Sequence, residues 1–324
     1  MFLPFFVSFS FASREEIINK TLARLELAGG SENTPSDKYS QENLKLDEAS
    51  SAVEGSSETE EKGLRSSRGK FYISAGHDAN HMHYKELTGK DAQERRDVID
   101  EDYGKLRGFY VKGGYKSNYY IAWMRGSPFI EAYFRRYAAL ITYDGGSSLG
   151  PLSFDDEHAK VQRFGIKLGA YRDFLTKAEI FGYFDIGKRI WYRGQNRIIQ
   201  GVIDYPEKYW WTYFGLGAGV NYDLVPRLST GIEVELMGSP EELTWMRADF
   251  DEGGTFDLGC VFGAEVKLPV KYYFLKNLSF DVTPYFTYWK IDKSTDTLIS
   301  GRPYYEPDSK THIEGLLVGL TYGF

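Results

Sequence analysis

The chain has little cysteine, no long apolar run and no basic cluster. Its single cysteine, Cys260, excludes an internal disulfide and packs equally well as a small apolar residue on a strand. No stretch approaches the roughly 20 apolar residues that a membrane-spanning helix needs, which excludes a helical membrane protein. The net charge of −7, with no basic footprint, sets nucleic acid aside as a partner.

Aromatic residues and glycine are abundant instead. The chain is 16% aromatic, contains 34 glycines, and spreads 26% charged residues over most of its length. That mixture is typical of short strands with alternating faces. From Leu316 to Phe324 the apolar residues Leu316, Val318, Leu320, Tyr322 and Phe324 share one side, which suits lipid, while small and polar residues share the other.

The first 69 residues differ from the rest. Residues 1–12 are apolar and end on Ser10-Phe11-Ala12, which predicts the back half of a signal peptide that lacks its basic start. Residues 13–69 predict a short amphipathic helix followed by an acidic periplasmic tether without fixed structure. The remaining residues, 70–324, predict one barrel domain.

Ten alternating segments follow Gly69, and their number is even. We predict strands at Lys70–Lys85, Gly104–Lys116, Tyr119–Ala138, Lys160–Arg172, Lys177–Arg193, Lys208–Tyr222, Arg227–Gly238, Thr255–Tyr272, Leu278–Ile291 and Lys310–Phe324. The fold class predicted is all-β, a ten-stranded antiparallel transmembrane β-barrel. In the third strand Arg125, Ser127 and Pro128 interrupt the alternation and indicate a bulge or a strand leaving the membrane.

The connections alternate between short and long. Connections from even to odd strands hold only a few residues, as in Asp173–Thr176 and Asp223–Pro226, and only about two residues separate the second strand from the third. Connections from odd to even strands are long and polar, as in Glu86–Tyr103 and Ala139–Ala159. Bacterial outer-membrane barrels have short periplasmic turns and long extracellular loops, so we expect both termini of the barrel in the periplasm of a Gram-negative cell.

Charged residues fall on the face opposite the apolar one, and the wall aromatics gather at strand ends. We predict an inward charge network of Lys112, Arg163, Lys167, Glu179, Asp185, Arg189, Glu233, Glu235, Asp257, Glu265, Lys267 and Asp281. Ten strands enclose a lumen that side chains can fill, so this network is expected to be a structural plug, the alternative being an ion pathway. Tyr209, Trp210 and Trp211 at one rim, and Tyr272, Tyr273 and Phe274 at the other, predict two interfacial girdles.

Short motifs resemble those of the omptin-like outer-membrane barrels, in particular their uncharacterised branch. They are Tyr84-Lys85-Glu86 at the end of the first strand, the spacing of Asp102, Gly104, Leu106 and Gly108, and Tyr288-Trp289 before Ile291-Asp292. The resemblance covers residues 70–324. It implies the barrel fold and, for true omptins, an endopeptidase in which an Asp pair and an Asp-His pair activate water at the outer mouth.

The residues of that site are present in swapped loops. The family's order places the Asp pair in the second outer loop and the Asp-His pair in the fourth, whereas here Asp156 and His158 lie in the second loop, and Asp249 and Asp251 in the fourth. If the loops face each other, Asp156 and His158 would act as base beside Asp249 and Asp251. The alternative is that these acidic loops simply face water or bridging divalent ions.

Three histidines share one face of the first strand. His77, His81 and His83 offer at most two metal ligands about 7 Å apart, and contact with lipid headgroups is the favoured interpretation. We therefore predict no metal and no cofactor. The leading functional prediction is a structural or surface-interaction role through the outer loops, with an omptin-type endopeptidase or a narrow passive channel as alternatives. Expected partners are outer-membrane lipid, lipopolysaccharide, and the barrel-assembly machinery through the C-terminal strand ending at Phe324.

Overall fold

A computed structural model describes residues 70–87, 98–147, 150–249 and 253–324. The predicted signal peptide and the segment 13–69 lie outside the described residues. Within the described ranges, no helix is long and apolar enough to cross a membrane.

The described residues form seventeen strands. They are β1 (Lys70–Leu87), β2 (Val98–Lys116), β3 (Ser127–Ser147), β4 (Gly150–Leu175), β5 (Ala178–Arg193), β6 (Arg197–Ile199), β7 (Val202–Asp204), β8 (Glu207–Val225), β9 (Leu228–Ser239), β10 (Thr244–Ala248), β11 (Gly254–Asp257), β12 (Val261–Lys267), β13 (Val270–Leu275), β14 (Leu278–Ile291), β15 (Thr297–Ile299), β16 (Arg302–Tyr304) and β17 (Asp308–Gly323).

Antiparallel pairing closes these strands into a ten-stranded barrel. β1 pairs with both β2 and β17, so that the first and last strands meet, with His77 opposite Phe109 on one side and Val318 on the other. β12 and β13 follow one another between β9 and β14 and together act as one barrel strand. The predicted fold class, an antiparallel ten-stranded transmembrane β-barrel, is confirmed.

Side chains alternate between the two sides of the wall, as the sequence pattern requires. On β5, Phe184 and Ile186 are exposed on the outer wall, while Tyr183 and Asp185 are buried in the lumen. Other exposed apolar residues of the belt include Ile73, Phe109, Ile166, Leu168, Leu216, Leu236, Phe280 and Leu320. A continuous belt of this kind is what a lipid-facing barrel presents.

The third barrel strand begins later than predicted. Residues Tyr119 to Gly126 do not belong to β3 but form a connection that contains a short 3-10 turn, Ala122–Met124, and an Ile121–Gly126 bridge. Arg125 has a φ of 51°, in the left-handed region, and this reverses the chain direction. The interruption of alternation therefore marks a turn, and this connection is longer than the two residues expected.

The predicted eighth strand, Thr255–Tyr272, is divided into β11, β12 and β13. Phe256 and Leu258, expected to face lipid, are only 4% and 1% exposed, and Asp257, expected in the lumen, is exposed. The chain leaves the sheet at Gly259 and Cys260, which shifts the alternation by one residue before β12 begins. The faces of Phe256, Leu258 and Asp257 were therefore predicted wrongly, while those from Phe262 onward agree.

The second predicted outer loop consists largely of strand, and the described ends of the first one are also strand. β3 and β4 remain paired almost to residue 150, and a register shift near Thr142 places two residues, Asp155 and Asp156, opposite it. This bulge changes which residues of β4 face inward. β1 and β2 likewise extend to Leu87 and from Val98.

Only part of the aromatic girdle predicted from Tyr209, Trp210 and Trp211 faces lipid. Trp210 is on the outer wall, but Tyr209 and Trp211 are 0% and 1% exposed and pack in the lumen. Consecutive residues of a strand point to opposite sides, so a run of three aromatics cannot all belong to one girdle. At the other rim, Tyr272 and Phe274 are exposed on the wall, while Tyr273 faces the lumen.

Candidate binding site at the barrel mouth

Inward glycines make room for large side chains in the lumen. A Cβ atom added to Gly217 would lie 2.1 Å from the ring of Tyr183, and one added to Gly187 would lie 2.3 Å from the ring of Tyr213. The rings of Tyr183 and Tyr213 therefore lie flat against the backbone of neighbouring strands. This packing leaves their hydroxyl groups at the centre of the barrel.

Two arginines organise an ion-pair layer across the lumen. Arg163 lies 2.9 Å from Glu265, 3.2 Å from Glu235 and 3.7 Å from Asp185. Arg135 lies 2.9 Å from Asp78 and 3.1 Å from Glu265. These side chains are all less than 10% exposed. Buried charges are tolerated when paired in this way, and the layer fills the centre of the lumen.

Lysines extend this layer toward the turns. Lys167 lies 2.7 Å from Glu233, and Lys267 lies 2.5 Å from Glu265. Further along, Lys112 pairs with Glu131 at 3.4 Å and Lys116 with Glu179 at 2.8 Å. Asp281 accepts a hydrogen bond from the hydroxyl of Ser279 at 2.7 Å instead of an ion pair.

The structure thus brings most of the predicted inward charges together in ion pairs, with three exceptions, of which Asp281 is described above. Asp257 lies on the exposed side of β11, as described above. Arg189 is 1% exposed but has no ion pair with a described residue; its guanidinium carbon lies 5.3 Å from the ring centres of Trp211 and of Trp289. Sequence reasoning missed Asp78, Glu131 and Arg135, because Asp78 sits among histidines and the alternation of the third strand was ambiguous.

An aromatic layer covers the ion pairs on the side of the long hairpins. Trp191, Trp211 and Trp289 are each 1% exposed, and the rings of Trp211 and Trp289 pack edge to face at 5.3 Å. Met82 and Leu106 are fully buried beside them. The described residues of the lumen therefore include two successive layers of side chains, one ionic and one aromatic.

Above the aromatic layer, the barrel opens into an acidic mouth. We use this name for the cavity of about 970 Å³ whose wall includes Glu86, Glu157, Arg193, Glu207 and Glu306. Arg193, 7% exposed, is its organising cation and lies 3.0 Å from Glu86, 3.2 Å from Asp102 and 2.7 Å from Glu207. One guanidinium thus faces several buried carboxyl groups. Burial raises the pKa of Asp102 to about 6.

Two glutamates of the mouth share a tyrosine hydroxyl. The hydroxyl of Tyr209 lies 2.6 Å from Glu306 and 2.9 Å from Glu207. One phenol proton cannot serve two carboxylate oxygens, so a second proton must be held by one of the glutamates. Burial, with the neighbouring Glu207, raises the pKa of Glu306 to about 8, which makes Glu306 that proton carrier at neutral pH.

Glu157 is the least satisfied carboxyl group of the mouth. It is 3% exposed, lines the cavity, and its Oε2 has no hydrogen-bond partner. Burial, followed by the nearby charge of Asp204, raises its pKa to about 8. A buried oxygen without a donor is costly, so the carboxyl group favours a ligand that supplies one.

The four candidate catalytic residues are not assembled in this mouth. His158 is exposed on the outer side of β4, opposite Leu140, while Glu157 faces inward in continuous alternation with Ala159. Asp156 is exposed and pairs with Arg197 at 2.5 Å. Asp249 lines the mouth but pairs with Arg247 at 3.0 Å, and Asp251 lies outside the described residues. No histidine is present among the described residues of the mouth wall.

The three histidines of the first strand lie on the outer wall, as their shared face implied. His83 contacts Glu101 at 2.9 Å, and His81 lies opposite Glu314 of β17. His83 also lies directly opposite His312. Among the described residues, no group of three or more acidic, histidine or cysteine side chains has the geometry to hold a metal ion.

Comparisons with known proteins give barrels of the same kind. No protein-family model matches the chain, and no curated protein matches it. Among solved structures, it is similar to the outer membrane protease OmpT from Escherichia coli, with 10% identity over 79% of this chain and 96% of that chain and a TM-score of 0.48. It is also similar to the outer membrane protein OprG from Pseudomonas aeruginosa, with 11% identity over 79% of this chain and 96% of that chain and a TM-score of 0.36.

Proposed function

We propose that this protein is a non-conducting outer-membrane barrel that acts from the cell surface, through an acidic mouth that binds a cationic group. The end of the barrel with the long hairpins faces outward, and the end with the short turns faces the periplasm. The exposed apolar belt supports the membrane location. The two layers of side chains in the lumen favour a surface role over a passive channel.

A basic outer wall supports this orientation. Lys85, Lys310 and Lys290 lie side by side on β1, β17 and β14 in register, beyond the apolar belt on the side of the long hairpins. Like charges directly opposite each other repel across strands. Glu101 offsets Lys85 and Asp292 offsets Lys290, whereas Lys310 has no acidic partner among the described residues. Such a row suits the phosphate groups of lipopolysaccharide in the outer leaflet.

A second part of the wall repeats the pattern. Lys160 and Lys208 flank Tyr192 on β4, β8 and β5, with their ammonium groups 4.0 and 5.5 Å from its ring centre. Tyrosine at a membrane interface, flanked by lysines, matches the headgroup region. We therefore propose lipopolysaccharide as the lipid partner of this wall.

The observation that carries the mouth proposal is the unpartnered Oε2 of Glu157. Glu157 lines a cavity whose wall already holds more carboxyl groups than Arg193 can neutralise. An ammonium or guanidinium group entering from outside would donate to Glu157 and reduce the repulsion among its neighbours. The ligand class proposed is therefore a small amine or a basic side chain.

Isothermal titration calorimetry with spermidine tests this proposal on the refolded barrel in a non-ionic detergent. We expect one saturable site in the wild type and at least about tenfold weaker binding in Glu157→Gln, which keeps the shape but removes the carboxyl group that a bound ammonium group would hold in its ionised form. Asp144→Asn is the matched control, because Asp144 is exposed on β3 outside the mouth wall. Equal affinities in the wild type and Glu157→Gln, or no saturable binding in the wild type, would contradict the proposal.

The endopeptidase alternative is less well supported by the geometry. His158 faces away from the mouth, and Asp156 and Asp249 are each engaged by an arginine. Cleavage of basic peptides that disappears in His158→Ala would restore that alternative.

A further inference from the structure

A second cavity, of about 350 Å³, occupies the opposite end of the lumen. We call it the turn-side cavity, since Lys70, Lys276 and Phe324 at the rim with the short turns are part of its wall. Arg135 and Arg163 of the ion-pair layer form its floor. The aromatic layer separates it from the acidic mouth, so a ligand must enter from the side of the turns.

The wall of this cavity carries more positive charge than its acidic residues neutralise. Its seven lysines are Lys70, Lys112, Lys116, Lys167, Lys267, Lys271 and Lys276. Four of these lysines form the ion pairs described above, namely Lys112, Lys116, Lys167 and Lys267. Lys70, Lys271 and Lys276 have no ion pair with a described residue. Asp281 is the one carboxyl group of the described wall outside an ion pair, so the cavity holds more ammonium groups than acidic partners.

Of these three lysines, Lys271 gives the strongest argument for an anionic ligand. It is half-buried on β13, directly opposite Asp281 of β14. Asp281, only 5% exposed, instead accepts hydrogen bonds from the hydroxyls of Ser279 and Thr321. Because Asp281 makes no direct ion pair with Lys271 and the wall as a whole is basic, an anionic group from outside would add a direct partner for this ammonium group.

Aromatic rings line the rest of the cavity. Tyr72, Phe129, Phe181, Tyr273 and Phe324 contribute to the same wall as the lysines. A cavity of about 350 Å³ falls in the range of small-molecule sites, roughly 300 to 1,000 Å³. Apolar walls with a few convergent charges are typical of such sites.

We propose that the turn-side cavity binds an organic anion with an apolar body, placing a carboxylate or similar head against Lys271, Lys70 and Lys276. The apolar body lies among Phe129, Phe181 and their neighbours. The head group has the same chemistry whether it belongs to a soluble aromatic acid or to a fatty acid from the membrane. This site is distinct from the acidic mouth in charge and in location, and the two proposals can fail independently.

Titration calorimetry of the full chain in lipid nanodiscs tests this inference with 2-naphthoate as the probe. We expect saturable binding that is about tenfold weaker in Lys271→Gln and absent for the neutral 2-naphthamide. Lys276→Gln, at the exposed rim, provides a second variant that does not disturb buried packing, and should weaken binding by a smaller factor. Lys290→Gln on the outer wall is the control and should bind like the wild type.

Competition with dodecanoate distinguishes the two sources. If dodecanoate displaces 2-naphthoate from the wild type at a lower concentration than from Lys271→Gln, the ligand is a membrane-derived fatty acid. If 2-naphthoate binds and dodecanoate does not displace it in this way, the ligand is a soluble acid. If wild type binds neither anion saturably, or if Lys271→Gln and Lys276→Gln both bind 2-naphthoate as the wild type does, the inference is overturned.

Discussion

Replacing Arg163 by methionine should strongly destabilise the barrel. Arg163 is the cation nearest to Asp185, at 3.7 Å, and it also pairs with Glu235 and Glu265. Glu265 would keep Arg135 at 3.1 Å and Lys267, whereas Asp185 would keep its hydrogen bond from Tyr133 at 2.7 Å but no ion pair with a described residue. Breaking a buried ion pair by removing one partner costs about 3–5 kcal/mol, so we expect a loss of that size in the free energy of unfolding.

Urea unfolding of the refolded protein in lipid vesicles, followed by tryptophan fluorescence, measures this loss. The double variant Arg163→Met with Asp185→Asn should recover part of it, because the carboxylate left without a cation is removed as well. Lys290→Met breaks the exposed pair with Asp292 on the outer wall and should cost less than about 1 kcal/mol. A loss in Arg163→Met no larger than that in Lys290→Met would refute the reasoning that the ion-pair layer stabilises the lumen.

Three further predictions follow from the same structure. Gly217→Val should destabilise the barrel by about 2 kcal/mol or more in the same urea assay, because its Cβ would collide with the ring of Tyr183, whereas Gly146→Val, where no atom lies within 4 Å of an added Cβ, should not. Burial raises the pKa of Glu157 to about 8, so its contribution to stability is present at acid pH and is lost as the pH rises through 8. Between pH 6 and pH 8 the free energy of unfolding of the wild type should fall by about 2 kcal/mol more than that of Glu157→Gln. Equal pH profiles of the two proteins would contradict this. The variant Lys85→Gln with Lys310→Gln should bind lipopolysaccharide vesicles more weakly than the wild type, with a smaller dependence on salt, while Lys276→Gln at the other end of the barrel should not.

Much of the barrel could be predicted from the sequence, because a wall with lipid on one side forces a period of two. The alternation in β5 identifies the lumen side correctly for Asp185, Arg189 and Arg193. The same alternation puts Lys188 on the outer wall, where the structure has it. Alternation fails where the chain leaves the sheet. Gly259 and Cys260 shift the phase and send Phe256 inward, and nothing in their residue types announces that shift.

The candidate site was harder to predict for a related reason. The strand β4 continues beyond its predicted start at Lys160, so Glu157 faces inward in step with Arg163 and His158 faces outward. The sequence interpretation placed both residues in a loop, and the resemblance to the Asp-His pair of omptins made His158 the candidate. Glu306 and Tyr209 are 97 residues apart in the chain, and only barrel closure brings their side chains within 2.6 Å. Contacts between distant strands of this kind depend on register, which residue types specify weakly at the polar ends of strands.

Conductance of the refolded protein in a planar lipid bilayer tests whether the lumen is sealed. We propose that Trp191, Trp211 and Trp289, above the layer of Arg135 and Arg163, seal it, so insertion should produce no steady ohmic current. A general porin of 16 strands in the same bilayer provides the positive control. A stable single-channel conductance from the wild-type protein would contradict the account of a sealed barrel that acts from its surface.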